Sequence, residues 1–301
     1  MLTHSLTAFF KPLKKQSIVI CLLQALLCSG ASAEEIQITW QMPDFPPVLI
    51  HQGPLKGTGY ADVFLRYFIE KTPEFRHRIE ASSMSRVFGL MKQGQPVCEP
   101  SLLKTPERET YVEFSDPVEF TLPHHIAVRA DRIARFQSYI NKAGAIDLAL
   151  LLRDQTLSTV RQEKRGYPAL VQQAFNAASG QKNLLLTSDD DQGPFRQIAN
   201  GWIDYFIAYP DEVYWFDRQL GTATSFAYFP IAGLPEYVYG HVGCTKGAWG
   251  RQVIQRVNQV VAKAGPRPPW IDAAVRHFDP VAAKRFEAIY ERHSPFRLQG
   301  K

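Results

Sequence analysis

The sequence predicts an α/β protein of two lobes, with the chain crossing between them twice. Short runs rich in β-formers alternate with longer stretches of helical periodicity along the chain, the pattern of strands covered by helices. Residues 121–130 read as a strand that carries the chain into a second lobe. Residues 229–235, with Pro at both ends of the turn, read as the return hinge, and 236–245 as the strand back. These crossings give one lobe of residues 34–124 plus 236–301 and another of residues 125–235.

Ahead of the lobes, Lys11, Lys14 and Lys15 precede the apolar run 18–27, which is too short to span a bilayer, and Ala31-Ser32-Ala33 forms an A-x-A cleavage site. Residues 1–33 are therefore expected to be a cleaved signal peptide, with export to the periplasm. A lipoprotein signal through Cys28 and an uncleaved anchor are the alternatives. The formal charge of +5 includes the three signal lysines, which leaves +2 without them. So small an excess gives no reason to expect a nucleic-acid partner. Cys98 and Cys244 remain after cleavage, and an oxidising compartment suggests one disulfide between them, the alternative being two buried thiols.

In the first lobe, Ile36 to Trp40 alternates as a strand and ends in the Pro-rich loop around Phe45. Gly57-Thr58-Gly59-Tyr60 leads into a helix over 61–71. A polar-sided strand is expected over 75–81, then a helix capped near Ser83, running to Lys92 and stopped by Gly94. Thr105-Pro106-Glu107-Arg108 has the cap, Pro and acid of a helix start, and Phe114-Ser115-Asp116-Pro117 should end that helix. In the second lobe, helices are expected near 146–152, over 167–178 and up to Asn200, with strands at 156–160 and 183–187. An amphipathic helix over 248–264 and one or two more between 270 and 293 complete the chain.

Two metal readings fail on geometry. His124 and His125 are adjacent on a strand and point to opposite faces. Ser188-Asp189-Asp190-Asp191 lacks the Gly turn and distal Glu of a calcium loop and reads as a helix cap. No cofactor is expected.

The pairing of T-P-E-R at 105–108 with F-S-D-P at 114–117 resembles the signature of bacterial periplasmic solute-binding proteins of family 3, the amino-acid-binding kind, whose fold is the two-lobe type II periplasmic-binding-protein fold. The "G-x-G-Y-x-D-[VL]" start at 57–63 is similar to that family, and residues 201–209 resemble its "G-[KR]-[IV]-D-x-x-[IVF]-x-D" segment, with Trp202 in place of the basic residue and Tyr209 in place of the final acid. The resemblance implies a small solute held at the hinge and passed to an ABC permease or a membrane sensor by a monomeric protein. It implies that Arg108 clamps an acidic group of the ligand, so that the solute is expected to be anionic. Ser101 keeps one of the family's small hydroxyl positions. Trp40, Phe45 and Tyr60 are platforms for the ligand, or else Trp40 and Tyr60 fill the lobe core. Arg161 stands in the loop where the family brings backbone amides to an anion; it and Arg165 either bind ligand or sit in solvent. Tyr209 replaces the acid that holds a ligand ammonium, and Asp211 follows two residues later. The same fold hosts a periplasmic dehydratase of prephenate-like acids. His124, His125, Glu99 and Asp211 are the candidate acids and bases for such an enzyme, but they form no recognisable set. A sensory or docking module that holds no small ligand is the remaining alternative.

Overall fold

The computed structural model describes residues 36–187, 192–221 and 225–296. The expected signal peptide with its cleavage site, and the cap at 188–191, lie outside the described residues. Two five-stranded sheets divide the rest into two α/β lobes. The first sheet holds β1 (Gln37–Pro43), β2 (Arg76–Ser82), β3 (Val97–Leu102), β4 (Val112–Thr121) and β10 (Val238–Thr245), in the order β2-β1-β3-β10-β4. The second holds β5 (His125–Arg129), β6 (Thr159–Gln162), β7 (Leu184–Thr187), β8 (Tyr205–Ala208) and β9 (Phe226–Pro230), in the order β7-β6-β8-β5-β9. Both sheets are mixed: β1 runs parallel to β2 and β3, whereas β10 runs antiparallel to β3 and β4. The chain leaves the first sheet between β4 and β5 and returns between β9 and β10.

Helices cover both sheets. α1 (Tyr60–Glu70) and α2 (Met84–Lys92) follow β1 and β2, and the Ser83 hydroxyl caps α2 by accepting from Arg86 N–H. In the second lobe come α3 (Leu148–Arg153), α4 (Ala169–Ala177), α5 (Gln192–Ala199) and α6 (Pro210–Gln219). α7 (Ala248–Ala262), α8 (Pro269–Val275) and α9 (Pro280–His293) return to the first sheet. Trp40, Phe64, Phe68 and Trp270 fill that lobe's core, each essentially without exposure. The second lobe is apolar on both sheet faces, around Phe136, Phe175 and Tyr205 on one side and Phe195, Phe206 and Phe216 on the other.

One element differs from its sequence signal. Arg108–Thr110 forms only a single 3-10 turn, and Phe114 to Pro117 lies inside β4 instead of ending a helix. Pro117 pairs with His241 where the register of β4 and β10 shifts, so the missing N–H falls at an irregularity of the ladder. Cys98 and Cys244 face each other across β3 and β10 and are joined by a disulfide.

Candidate functional site

The carboxyl ends of parallel strands are where open α/β sheets place ligands, and here those ends from both lobes converge. β1 runs into the loop of Phe45, β3 ends beside Ser101, β6 ends at Gln162, and β8 ends at Tyr209, which caps α6. The cavity between them is lined by both lobes and gives about 80 Å3 of room for water centres. That suits a handful of waters or one small organic molecule.

Seven of the residues singled out in the sequence meet at this cavity: Phe45, Tyr60, Glu99, Ser101, Arg108, Arg165 and Tyr209. Trp40 does not. Its ring is fully buried in the first lobe, edge-on to Phe68, with Nε1 donating to His77 Nδ1 at 3.1 Å. Arg161 lies in a wider outer groove, where its guanidinium sits over the Phe175 ring and reaches Asn176 at 3.4 Å.

Arg108 is buried, and its guanidinium lies 4.5 Å over the Phe88 ring. Nη1 donates to Leu103 O at 2.9 Å, and Nη2 donates across the cleft to Lys164 O at 3.1 Å. Gly166 permits this approach, since a Cβ there would stand 2.8 Å from Nη1. Burial lowers the Arg108 pKa from its usual value. Arg165 joins Glu212 in a two-point ion pair, one arm at 2.9 Å, with both side chains nearly or fully inaccessible. Glu212 also accepts from Tyr209 N–H at 2.8 Å, so the pair fixes the end of β8. The Tyr209 ring packs 3.9 Å from His124, and burial raises its phenol pKa.

Carboxyl groups occupy the hinge side. Glu99 on β3 accepts from Ser101 N–H at 2.7 Å, and Glu119 on β4 accepts from the Ser101 hydroxyl at 2.7 Å. Gly240 leaves space for the Glu119 carboxyl, because a Cβ would stand 2.3 Å from its Oε2. Asp211, in the first turn of α6, accepts from the Tyr60 hydroxyl at 3.1 Å, a bond that spans the two lobes. Burial pushes Glu99 and Glu119 up to about 8 and Asp211 up to about 7, and neighbouring carboxyls add to each rise. Glu119 is the residue that sequence reasoning missed. Its signal was an acid inside the apolar run Val118-Glu119-Phe120.

No protein-family model matches the chain, and no curated protein matches it in sequence. Solved structures do match in fold. A histidine kinase sensor domain with similarity to periplasmic binding proteins aligns with a TM-score of 0.59 at 15% identity, covering 87% of this chain and 97% of that chain. An amino acid ABC transporter substrate-binding protein from Streptococcus pneumoniae, bound to L-arginine, gives 0.58 at 14% identity, covering 84% and 96%. The periplasmic domain of BvgS from B. pertussis gives 0.60 at 12% identity; the match covers 95% of this chain and half of that one. The chain thus has the type II periplasmic-binding-protein fold, shared by transporter-linked binding proteins and sensor domains.

Proposed function

We propose that the protein reversibly captures a small solute in the cavity between its lobes and presents the closed, loaded form to a membrane partner, an ABC importer or a sensor. One observation carries this reading: a solute-sized cavity is walled by buried polar and aromatic groups from both lobes. A ligand there would touch Tyr60, Ser101 and Arg108 on one side and Tyr209 on the other, so binding would favour closure over opening. Fold neighbours described as a substrate-binding protein and as a sensor domain support both kinds of partner equally. The periplasm is the compartment in which such a protein and its disulfide would work.

Binding rather than turnover is the activity proposed. Native mass spectrometry of the purified protein, followed by denaturation and identification of the released small molecules, tests it. One small molecule recovered chemically unchanged, in near-stoichiometric amount, is the expected result. Failure of every member of a pooled metabolite library either to bind or to raise the Tm of ligand-free protein would overturn the reading. Conversion of the bound molecule during incubation would make the protein an enzyme.

A further inference from the structure

Two buried carboxyl groups, Glu99 and Glu119, and two guanidiniums line the cavity, and two further carboxyls stand directly behind that lining, Asp211 on the Tyr60 hydroxyl and Glu212 on Arg165. The guanidiniums are already engaged. Arg165 is matched to Glu212, and Arg108 spends donors on the carbonyls of Leu103 and Lys164. Glu99, Glu119 and Asp211 have no ion-pair partner among the described residues. They are 1%, 5% and 1% exposed, so water does not compensate them. Glu119 Oε1 and Asp211 Oδ1 accept no hydrogen bond from any described residue. Buried acceptors without donors are costly, and a ligand that supplies donors gains what the empty protein forgoes. The sequence suggested an anion because it offered Arg108 as a free clamp. The structure turns two of that clamp's donors toward backbone oxygens and leaves unpaired acceptors on the carboxyl side, while His124, packed on Tyr209, is a neighbouring buried group whose ring nitrogens lack partners among the described residues.

On the reading that this cavity holds a solute, we propose that the solute is a small organic cation, an amine or guanidine of net positive charge. Its charged head lies against Glu119 and Glu99, with Asp211 adding negative charge from behind the Tyr60 hydroxyl. Its hydrocarbon part lies along Phe45, Val48 and Leu102, which line the same cavity. The faces of Tyr60 and Tyr209 suit a cation in addition. A bare metal ion does not suit the arrangement, since no group of three or more metal-ligating side chains among the described residues is close enough to hold one. An extended head with several N–H donors can reach carboxyls that a single ion cannot.

Proton linkage follows from the same geometry. Burial keeps Glu99 and Glu119 largely protonated near neutral pH in the empty cavity, while Asp211 behind them, raised to about 7, is protonated in part. A cation exchanges for those protons, so binding releases protons and tightens as pH rises toward 8. The other groups facing the cluster do not supply this dependence. Tyr60 and Tyr209 are held neutral by raised pKa values and His124 is held neutral by burial, and a guanidinium does not titrate in this range. Glu212 is neutralised by Arg165, and Lys164 is solvent-exposed at the cavity mouth.

The experiment is a thermal-shift and calorimetric screen of ligand-stripped protein at pH 6.0 and pH 8.0. It uses a cation pool (putrescine, cadaverine, agmatine, ethanolamine), an acid pool (succinate, malate, glutarate) and a neutral pool (glycerol, ribose, urea, neutral α-amino acids). The expected result is a hit in the cation pool that binds at least tenfold more tightly at pH 8.0 than at pH 6.0. Glu119→Gln should weaken that hit at least tenfold while circular dichroism stays unchanged, and Glu99→Gln, on the same cavity wall, provides a second variant should E119Q not fold. Hits confined to the acid or neutral pools would overturn the cation assignment and leave solute capture standing. Silence in every pool would overturn both.

Discussion

Arg165 and Glu119 mark the limits of reading single residues from sequence. Arg165 stands in a polar run and reads from sequence more as solvated surface than as a ligand contact, yet the fold buries it against Glu212 beneath the aromatic rings of Phe45 and Tyr209. A partner 47 positions away has no local signature. Glu119 is a buried acid that the fold tolerates by keeping it neutral, and that has a measurable consequence. Its pKa of about 8 lies above the ordinary value of 4.5. The stability it contributes is therefore fully present below about pH 4.5 and is lost as pH rises through 8, because the unfolded chain then binds fewer protons than the native one. Histidines whose pKa is lowered chiefly by desolvation, buried His125 and half-buried His277, each to about 4, act in the opposite sense between pH 4 and 6.5. The informative quantity is thus the difference between Glu119→Gln and the parent. The Tm of the variant relative to the parent should climb steadily from pH 5 to pH 8 in ligand-free protein. A difference independent of pH would mean that Glu119 is ionised throughout.

Elements were easier to read than residues wherever periodicity ran unbroken. β1, α1, α2 and α7 sit within a few residues of their sequence signals, since alternation and 3.6-residue spacing report burial directly. Residues 105–117 misled because Thr-Pro-Glu and Asp-Pro are local helix signals, and a long antiparallel partner overrode them. β10 pairs with β4 over nearly its whole length and absorbs Pro117 at a register shift. The same strand holds the cleft walls together through Cys98–Cys244, which ties β10 to β3 across 146 positions. A cross-link closing so long a loop restricts the unfolded chain by about 5 kcal/mol on the chain-entropy account. Replacing both cysteines by serine should lower the urea midpoint of the oxidised protein without changing the fold. If parent and double variant unfold at the same midpoint, the thiols are not paired in the protein as isolated.

At the scale of the whole molecule, the lobes touch at points away from the cavity as well as within it. Tyr60 to Asp211 and Arg108 to the Lys164 carbonyl cross beside the ligand space. On another part of the cleft, the Tyr228 hydroxyl of β9 donates to Asp279 ahead of α9, and Trp215 meets His277 edge to face at 5.5 Å. Such contacts set the balance between open and closed forms before any ligand arrives, and a ligand that binds only the closed form is weakened in proportion as that form is depopulated. Tyr228→Phe isolates the effect. The ring remains edge-on to His125, and Asp279 keeps its other oxygen on the first amides of α9, so both lobes retain their own packing. Only the hydrogen bond between lobes is lost. The radius of gyration of ligand-free Tyr228→Phe, measured by small-angle X-ray scattering, should exceed that of the parent, and saturating ligand should bring the two together. Affinity should fall severalfold although the residue touches no ligand. Identical scattering curves with and without the hydroxyl would show that the bond contributes nothing to closure, and the balance would then rest on the contacts that line the cavity itself.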